Sequence, residues 1–375
     1  MKKIIILGAG MVGTAMAIDL SKNFDVTSVD INREALDHLS AKHGIKIIQS
    51  DISKSEKLKN IIRDFDLVVC AVPGFMGYKT VEAAIDAGKD TVDISFMPED
   101  TMQLDAQARL HNVTVICDCG VAPGMPNVII GYYNEIMEIS HFEYCVGGLP
   151  KERKFPFEYK APFSPVDVIE EYTRPARSVE NGHLITKPPM SDPELIYFEG
   201  IGDLEAFNTD GLRSLITTLN HIPNMKEKTL RYPKHIALIQ ALKAAGFFDS
   251  EPIDVKGLQV VPMDFSSKLL FKSWKLQPAD KEFTVMRIAF KGTQEGKSRN
   301  VVYDLFDEYD VATETSSMAR TTGYTATAAV NLITKDLFTD KGVFPPELVG
   351  KHKKCFDFML KYLEERNVIY KCTEE

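Results

Sequence analysis

The sequence predicts an α/β chain in two parts. A doubly wound parallel sheet comes first, followed by a second α+β domain of mixed or antiparallel sheet, with C-terminal helices returning to the first part. Three observations carry this expectation. Residues 3–13 read Lys-Ile-Ile-Ile-Leu-Gly8-Ala-Gly10-Met-Val-Gly13, a buried-strand run feeding G-x-G-x-x-G. Over residues 1–116, six short β-rich runs alternate with segments of helix length. Beyond Pro126 the pattern changes to long runs of period-two character, and after about Thr315 it returns to helix. The expected domains are therefore 1–125 plus 316–375, and 126–315.

The six runs are residues 4–7, 26–29, 45–48, 67–70, 91–94 and 113–116, separated by helical segments at 14–20, 33–43, 55–62, 78–87 and 101–111. Right-handed crossovers between parallel strands follow, and ligands of such sheets sit at the carboxyl ends of the strands. In the first turn Gly8 allows the tight bend. Gly10 lets the backbone, through Met11 and Val12 at the helix start, approach a pyrophosphate, and Gly13 lets helix and strand pack closely. The pattern is that of a Rossmann domain holding a dinucleotide.

The loops at the other strand ends extend this site. Asp30 closes the second strand, where a carboxylate accepts hydrogen bonds from ribose hydroxyls and repels a 2′-phosphate, so NAD is expected rather than NADP. Arg33 nearby either welcomes a phosphate or lies over the adenine. Asp51 and Ile52 follow the third strand, with Asp51 either bonding the adenine amine or capping a helix. Ala71, Val72 and Pro73 follow the fourth and either approach the nicotinamide ribose or make a structural turn. Asp93 ends the fifth strand and Asp118 follows the sixth, both facing the expected cleft.

Composition narrows the partners. The net charge is −9 with acidic and basic residues mixed along the chain, so there is no polybasic stripe for nucleic acid. A small-molecule partner is the default. Six cysteines show no C-x-x-C pair or zinc-like spacing, and no metal is expected. No apolar stretch reaches the roughly 18–20 residues of a membrane span, and the N-terminus enters a strand at once, so the expected location is cytoplasmic with no membrane partner.

In the second part a helix over 127–137 leads to a strand at 141–146, then to strand-like segments at 163–172, 178–185 and 283–291. Helices drawn from 210–219, 235–245 and 262–274 would pack on this sheet. Residues 318–332 are helical and rich in small side chains, and 351–366 are amphipathic through Phe356, Met359, Leu360 and Leu363. The apolar strands of the second part make a homodimer the expected assembly.

Several segments together resemble one family. The glycine turn, Val92-Asp93-Ile94-Ser95, the loop Asp118-Cys119-Gly120-Val121-Ala122-Pro123-Gly124, Cys145-Val-Gly-Gly-Leu-Pro150, Glu170-Glu-Tyr-Thr-Arg-Pro-Ala176 and Glu205-Ala-Phe-Asn-Thr-Asp-Gly-Leu-Arg213 resemble the saccharopine dehydrogenase-like family. Within it they are most like the lysine 6-dehydrogenase branch. Saccharopine reductases of the family tend to carry an acidic residue where Ala122 stands, which favours that branch.

The resemblance implies NAD-dependent oxidation of the ε-carbon of L-lysine to 2-aminoadipate 6-semialdehyde, which cyclises to piperideine-6-carboxylate, and ammonia. Such a site needs a base for the ammonium proton, and Asp93 and Asp118 are the candidates against a role in bonding loop amides. The α-carboxylate calls for a guanidinium, with Arg174 and Arg213 as candidates unless they pair with Glu170, Glu171 or Asp210. Lys160 is a further polar candidate, or a solvated strand residue. Tyr78 and Tyr324 suit buried helix faces, and Cys117 and Cys119 read as small buried residues rather than nucleophiles. Two alternatives stay open: a secondary-amine oxidoreductase of the saccharopine reductase or carboxynorspermidine dehydrogenase type, and, more remotely, a non-catalytic nucleotide-sensing module.

Overall fold

A computed structural model describes residues 1–163, 165–277 and 280–374. The strands β1 (Lys3–Leu7), β2 (Asp25–Asp30), β3 (Lys46–Gln49), β4 (Leu67–Cys70), β5 (Asp90–Asp93) and β6 (Thr114–Ile116) form a parallel sheet in the order β6-β5-β4-β1-β2-β3. All six expected strands are present. A seventh, Gly342–Phe344, joins the outer edge of β6 in parallel, so the C-terminal part of the chain completes the first sheet. Ile4, Ile5, Ile6 and Leu7 of β1 are fully buried, as a central parallel strand covered on both faces requires. The chirality of the order reverses between β1 and β4, which opens a crevice beyond the carboxyl ends of the strands.

The second sheet is built on β7 (Glu138–Pro150) and two long strands, Glu282–Gln294 and Lys297–Glu308, paired antiparallel beside it. On the other edge of β7 lies Met225–Arg231, in parallel, followed by Gly202–Asn208 and Glu194–Phe198. Alternation along Glu282–Gln294 splits the interior in two. Met286, Ile288 and Phe290 join the core shared with the helices Met125–Tyr133 and Ser317–Thr334. Phe283 and Val285 join a second core with Tyr172, Ile236, Ile239, Leu270 and Trp274.

Four expectations change. The strand-like stretch 163–172 folds as a helix, Pro165–Thr173, because Val168, Ile169 and Tyr172 form one buried stripe at helical spacing; Ser164 lies outside the described residues. The stretch 178–185 is a hairpin, Ala176–Glu180 and His183–Lys187, turned by Asn181 and Gly182 at φ 51° and 80°. Two successive positive φ values on Asn-Gly are a signature of the tight hairpin turn. The helix expected over 210–219 shrinks to Leu215–Thr218, since Arg213 at φ 51° breaks it. Finally, the last strand, Tyr370–Glu374, pairs with Lys297–Glu308 of the second sheet, so the end of the chain departs from the expected first domain.

The C-terminal helices do return to the first domain. Asp19, buried on helix α1 (Met11–Ser21), accepts hydrogen bonds from Thr327 Oγ1 and Tyr362 Oη at 2.7 Å each and from Arg366 Nε at 2.9 Å. Burial alone would raise the Asp19 carboxyl; Arg366 and the two hydroxyls outweigh it and hold the group below the usual carboxylate range. This knot fixes the back of α1 while its N-terminus faces the crevice.

Candidate active site

A cavity of about 720 Å³ runs from the glycine turn into the second domain. At its first end Gly8 takes φ 116°, and a Cβ there would come within 2.3 Å of the Ala71 carbonyl oxygen; a Cβ on Gly13 would meet the Gly8 carbonyl oxygen at 2.0 Å. These two glycines are fixed by close backbone approach. Gly10 differs. A Cβ on it would find nothing within 4 Å, and it stands at the N-cap of α1, where unpaired amides face the cavity. That open cradle at a helix N-terminus fits a pyrophosphate.

Asp30 anchors the turn from the side: Oδ2 accepts from the Ala9 amide at 2.6 Å and Oδ1 from the Asn32 amide at 2.8 Å, while the residue still lines the cavity. Asp51 lines it too, and its carboxyl is held low by hydrogen bonds from Ser53, first the backbone amide at 2.9 Å. Arg33 is turned away, bonded to Asp37 Oδ1 at 2.8 Å on the exposed face of its helix. Gly8, Gly10, Met11, Val12, Gly13, Asp30, Asp51, Ile52, Ala71, Val72 and Pro73 all line one end of the same cavity. The donor set and shape fit a dinucleotide.

The other end is acidic. Beyond Ser95 and Phe96 the walls carry Asp118, Asp167, Glu170, Glu171, Asp210 and Glu227, against Arg174 and Arg231. Asp118 is gripped by Arg213 from behind, Nε to Oδ2 and Nη2 to Oδ1 at 3.0 Å each, and a third guanidinium nitrogen donates to the Met97 carbonyl at 2.7 Å. Arg174 pairs with Glu170 at 3.1 Å, and its guanidinium stacks 4.8 Å from the Phe96 ring centre. Arg231 is buried under Tyr159 and Tyr172, with Glu171 as its counter-ion. Asp210 is paired with Arg177 at 2.7 and 2.9 Å.

Three expected site residues stand elsewhere. Asp93 is fully buried and does not reach the cavity: it is bonded to the hydroxyl of Ser95, and burial pushes its carboxyl up to about 7. Asp93 is the register partner of Cys70 on β4, and its side chain lies beside that thiol, so Ser95 takes the place at the wall. Arg213 is a partner of Asp118 rather than a free anion-binding group on the cavity wall. Lys160 lies outside the cavity, donating to the carbonyls of Ser273 and Lys275 at 2.9 and 3.4 Å. Cys117 and Cys119 are buried thiols whose pKa values rise on burial, and Tyr78 and Tyr324 do not line the cavity.

Residues 4–116 match the saccharopine dehydrogenase NADP binding domain and residues 120–369 the saccharopine dehydrogenase C-terminal domain. The chain belongs to the saccharopine dehydrogenase family. It is similar to the mitochondrial alpha-aminoadipic semialdehyde synthase of Rattus norvegicus, 25% identical over 268 residues, which is 67% of this chain and 29% of that protein. The chain therefore spans under a third of that relative's length. It is also similar to carboxyaminopropylagmatine dehydrogenase of Synechocystis, 21% identical over 374 residues and 92% of each chain. Among solved structures the apo saccharopine dehydrogenase (L-Glu forming) of Saccharomyces cerevisiae superposes with a TM-score of 0.81 at 19% identity, over 100% of both chains, which shows the shared fold.

Within this family fold, the residues that sequence reasoning passed over are Tyr144, Thr209, Glu227, Thr229 and Arg231. Three of them sit at alternate positions of Met225–Arg231, the strand that pairs in parallel with β7. Lys-Glu-Lys-Thr-Leu-Arg carries polar side chains on both faces of a strand, which an ordinary half-buried strand does not. That was the available signal. Among the described residues no three or more His, Cys, Asp or Glu side chains are placed so that they could hold a metal ion, and no described helix is long and apolar enough to cross a membrane.

Proposed function

We propose that this chain is an NAD-dependent dehydrogenase that oxidises the ε-amino carbon of L-lysine, releasing 2-aminoadipate 6-semialdehyde and ammonia. The observation that carries the reading is the charge of the substrate end, where carboxyls outnumber guanidinium groups around a cavity continuous with the nucleotide turn. A dicationic amino acid with one carboxylate complements such a wall. Arg174, held over Phe96, is the group for the α-carboxylate, and Asp118, fixed by Arg213, presents an anion to the ammonium.

The coenzyme would be held by the amides that follow Gly10, by Asp30 on the ribose hydroxyls and by Asp51 near the adenine. Asp30 and the pairing of Arg33 with Asp37 favour NAD over NADP. When bound, the nicotinamide supplies the hydride acceptor. The chain's own work is to strip a proton from the ammonium nitrogen, to aim the ε-carbon, and to present carboxyls to the cationic iminium until water hydrolyses it. The semialdehyde then cyclises without help from the protein.

A second reading is a dehydrogenase of a secondary amine, favoured by the likeness to carboxyaminopropylagmatine dehydrogenase along nearly the whole of both chains. The test is NADH formation with L-lysine and NAD at mildly alkaline pH, run beside saccharopine and beside NADP. Lysine-dependent reduction supports the first reading, and reduction with saccharopine alone moves the chain to the second.

A further inference from the structure

We propose that Glu227 is the base of this site, the carboxylate that takes the proton from the substrate's ammonium nitrogen. The inference rests on the dehydrogenase reading above and names a residue that neither family resemblance nor strand-end topology singled out. Four other carboxyls of the acidic wall are committed to arginines: Asp118 to Arg213, Glu170 to Arg174, Glu171 to Arg231 and Asp210 to Arg177. Among the described residues no guanidinium pairs with Glu227. Its hydrogen bonds come from the Thr209 hydroxyl at 2.7 Å and the Gly211 amide at 2.9 Å, and both end on Oε2. Neither uses Oε1, and the residue forms part of the cavity wall.

The backbone is shaped around this carboxyl. A Cβ on Gly211 would lie 2.5 Å from Glu227 Cδ and 2.6 Å from its Oε2, so no side chain fits at 211 while Glu227 keeps its position. Tyr144, from β7, closes the same corner by donating to the Gly211 carbonyl at 2.6 Å. The groups facing Glu227 are thus Tyr144 from β7, Glu171 from the helix Pro165–Thr173, and Thr209 and Asp210 from the preceding loop, with Thr229 and Arg231 further along its own strand. Thr209 also bonds the Thr229 hydroxyl at 2.8 Å, which gives a proton on Glu227 a hydroxyl route along the wall.

Burial, then the neighbouring Glu171 and Asp210, push the Glu227 carboxyl up to about 8. A base of that strength suits an ammonium donor in mildly alkaline solution better than an ordinary carboxylate does. In the step itself an N–H bond of the ammonium breaks, an O–H bond forms on Glu227, and the nitrogen keeps the electron pair. No oxidant is consumed until the neutral amine loses its hydride.

The test uses the full chain and two variants, Glu227→Gln and Gly211→Ala. In the wild type, turnover with lysine rises through a limb near the pKa of Glu227. In E227Q, kcat drops by roughly 10²–10⁴-fold, the scale of general-base loss, and that limb disappears. NAD affinity, read by titration, stays within about threefold in both variants. A parallel infrared measurement on the NAD-bound protein needs no turnover. In the difference spectrum between wild type and E227Q a protonated-carboxyl band is present at neutral pH and titrates away with a midpoint near pH 8. An unchanged kcat and pH limb in E227Q, or a difference spectrum without that band, overturns the assignment. A wild type inactive on lysine, with that band titrating near pH 8, removes the dehydrogenase reading while supporting Glu227 as the wall carboxyl able to take up a proton.

Discussion

Arg213 and Asp118 meet across the domain junction, guanidinium to carboxylate through two hydrogen bonds of 3.0 Å, and both take left-handed backbone, at φ 51° and 52°. Non-glycine residues rarely adopt that conformation, and two facing each other in a bonded pair mark a geometry the surrounding fold imposes. The pair joins the loop after β6 to the loop before Leu215–Thr218, so the acidic wall and the nucleotide crevice are registered to one another. Replacing Asp118 by Asn leaves a buried guanidinium without its counter-ion, and the expected cost is about 3–5 kcal/mol of stability. Chemical denaturation checks it; a cost under about 1 kcal/mol, the scale of an exposed pair, would show that the ion pair is solvated.

Gly10 separates binding from folding. Its φ is −70° and a Cβ would touch no protein atom, so Gly10→Ala should keep the melting temperature. NAD affinity should still fall by at least about tenfold, a loss of ~1.4 kcal/mol, because the methyl group enters the pyrophosphate cradle. Gly8→Ala is the contrast. There the Cβ collides with Ala71 at a φ of 116°, and the turn itself is lost along with binding. Fluorescence titration with NAD, paired with thermal melts, distinguishes the two.

Asp30→Asn tests the choice of coenzyme. The neutral amide gives up charge-assisted bonds to the ribose, worth about 1.5–3 kcal/mol, so NAD binding should weaken by roughly 10–100-fold. NADP binding should weaken less or improve, because the repulsion of a 2′-phosphate is removed. Equal losses for both coenzymes would mean that Asp30 acts only as the clamp on Ala9 and Asn32.

Asp93 links stability to pH. Its folded carboxyl is raised from 3.8 to about 7, above its unfolded value, so the folded state binds the extra proton and stability falls as pH rises through that window. Asp93→Asn mimics the protonated form. Its stability relative to wild type should therefore improve steadily between about pH 4 and pH 7, by up to roughly 4 kcal/mol, and level off above. Denaturation midpoints at the two ends of that range read the difference, and a pH-independent gap would mean that Asp93 is ionised throughout.

Much of this fold is written in local sequence. β1 and its three glycines, Asp30 at the end of β2 and the loops after β3 and β4 are set by apolar runs and turn residues within a few positions of each other, and all reach one end of the cavity. The second domain is less legible because its site residues act through distant partners. Glu227 and Arg231 lie in a stretch for which the sequence pattern predicts no element, and they become site residues only where β7 pairs with their strand and the helix Pro165–Thr173 supplies Glu171. Arg213 carries the right chemistry, but the left-handed turn that aims it at Asp118 leaves no local trace. Lys160 stands between the buried Tyr159 and Ala161, and its ammonium finds carbonyls at a neighbouring helix end instead of the cavity. Asp93 shows how a strand end displaces a role by two residues, handing the wall to Ser95.

Counting ammonia against NADH, with L-lysine as the amine and at about pH 9, above the Glu227 pKa, tests the central claim most directly. Oxidation of a primary ε-amine predicts one ammonia released per NADH formed, with the semialdehyde trapped by an aldehyde reagent. NADH without ammonia, or none with lysine while a secondary amine is oxidised, would contradict it.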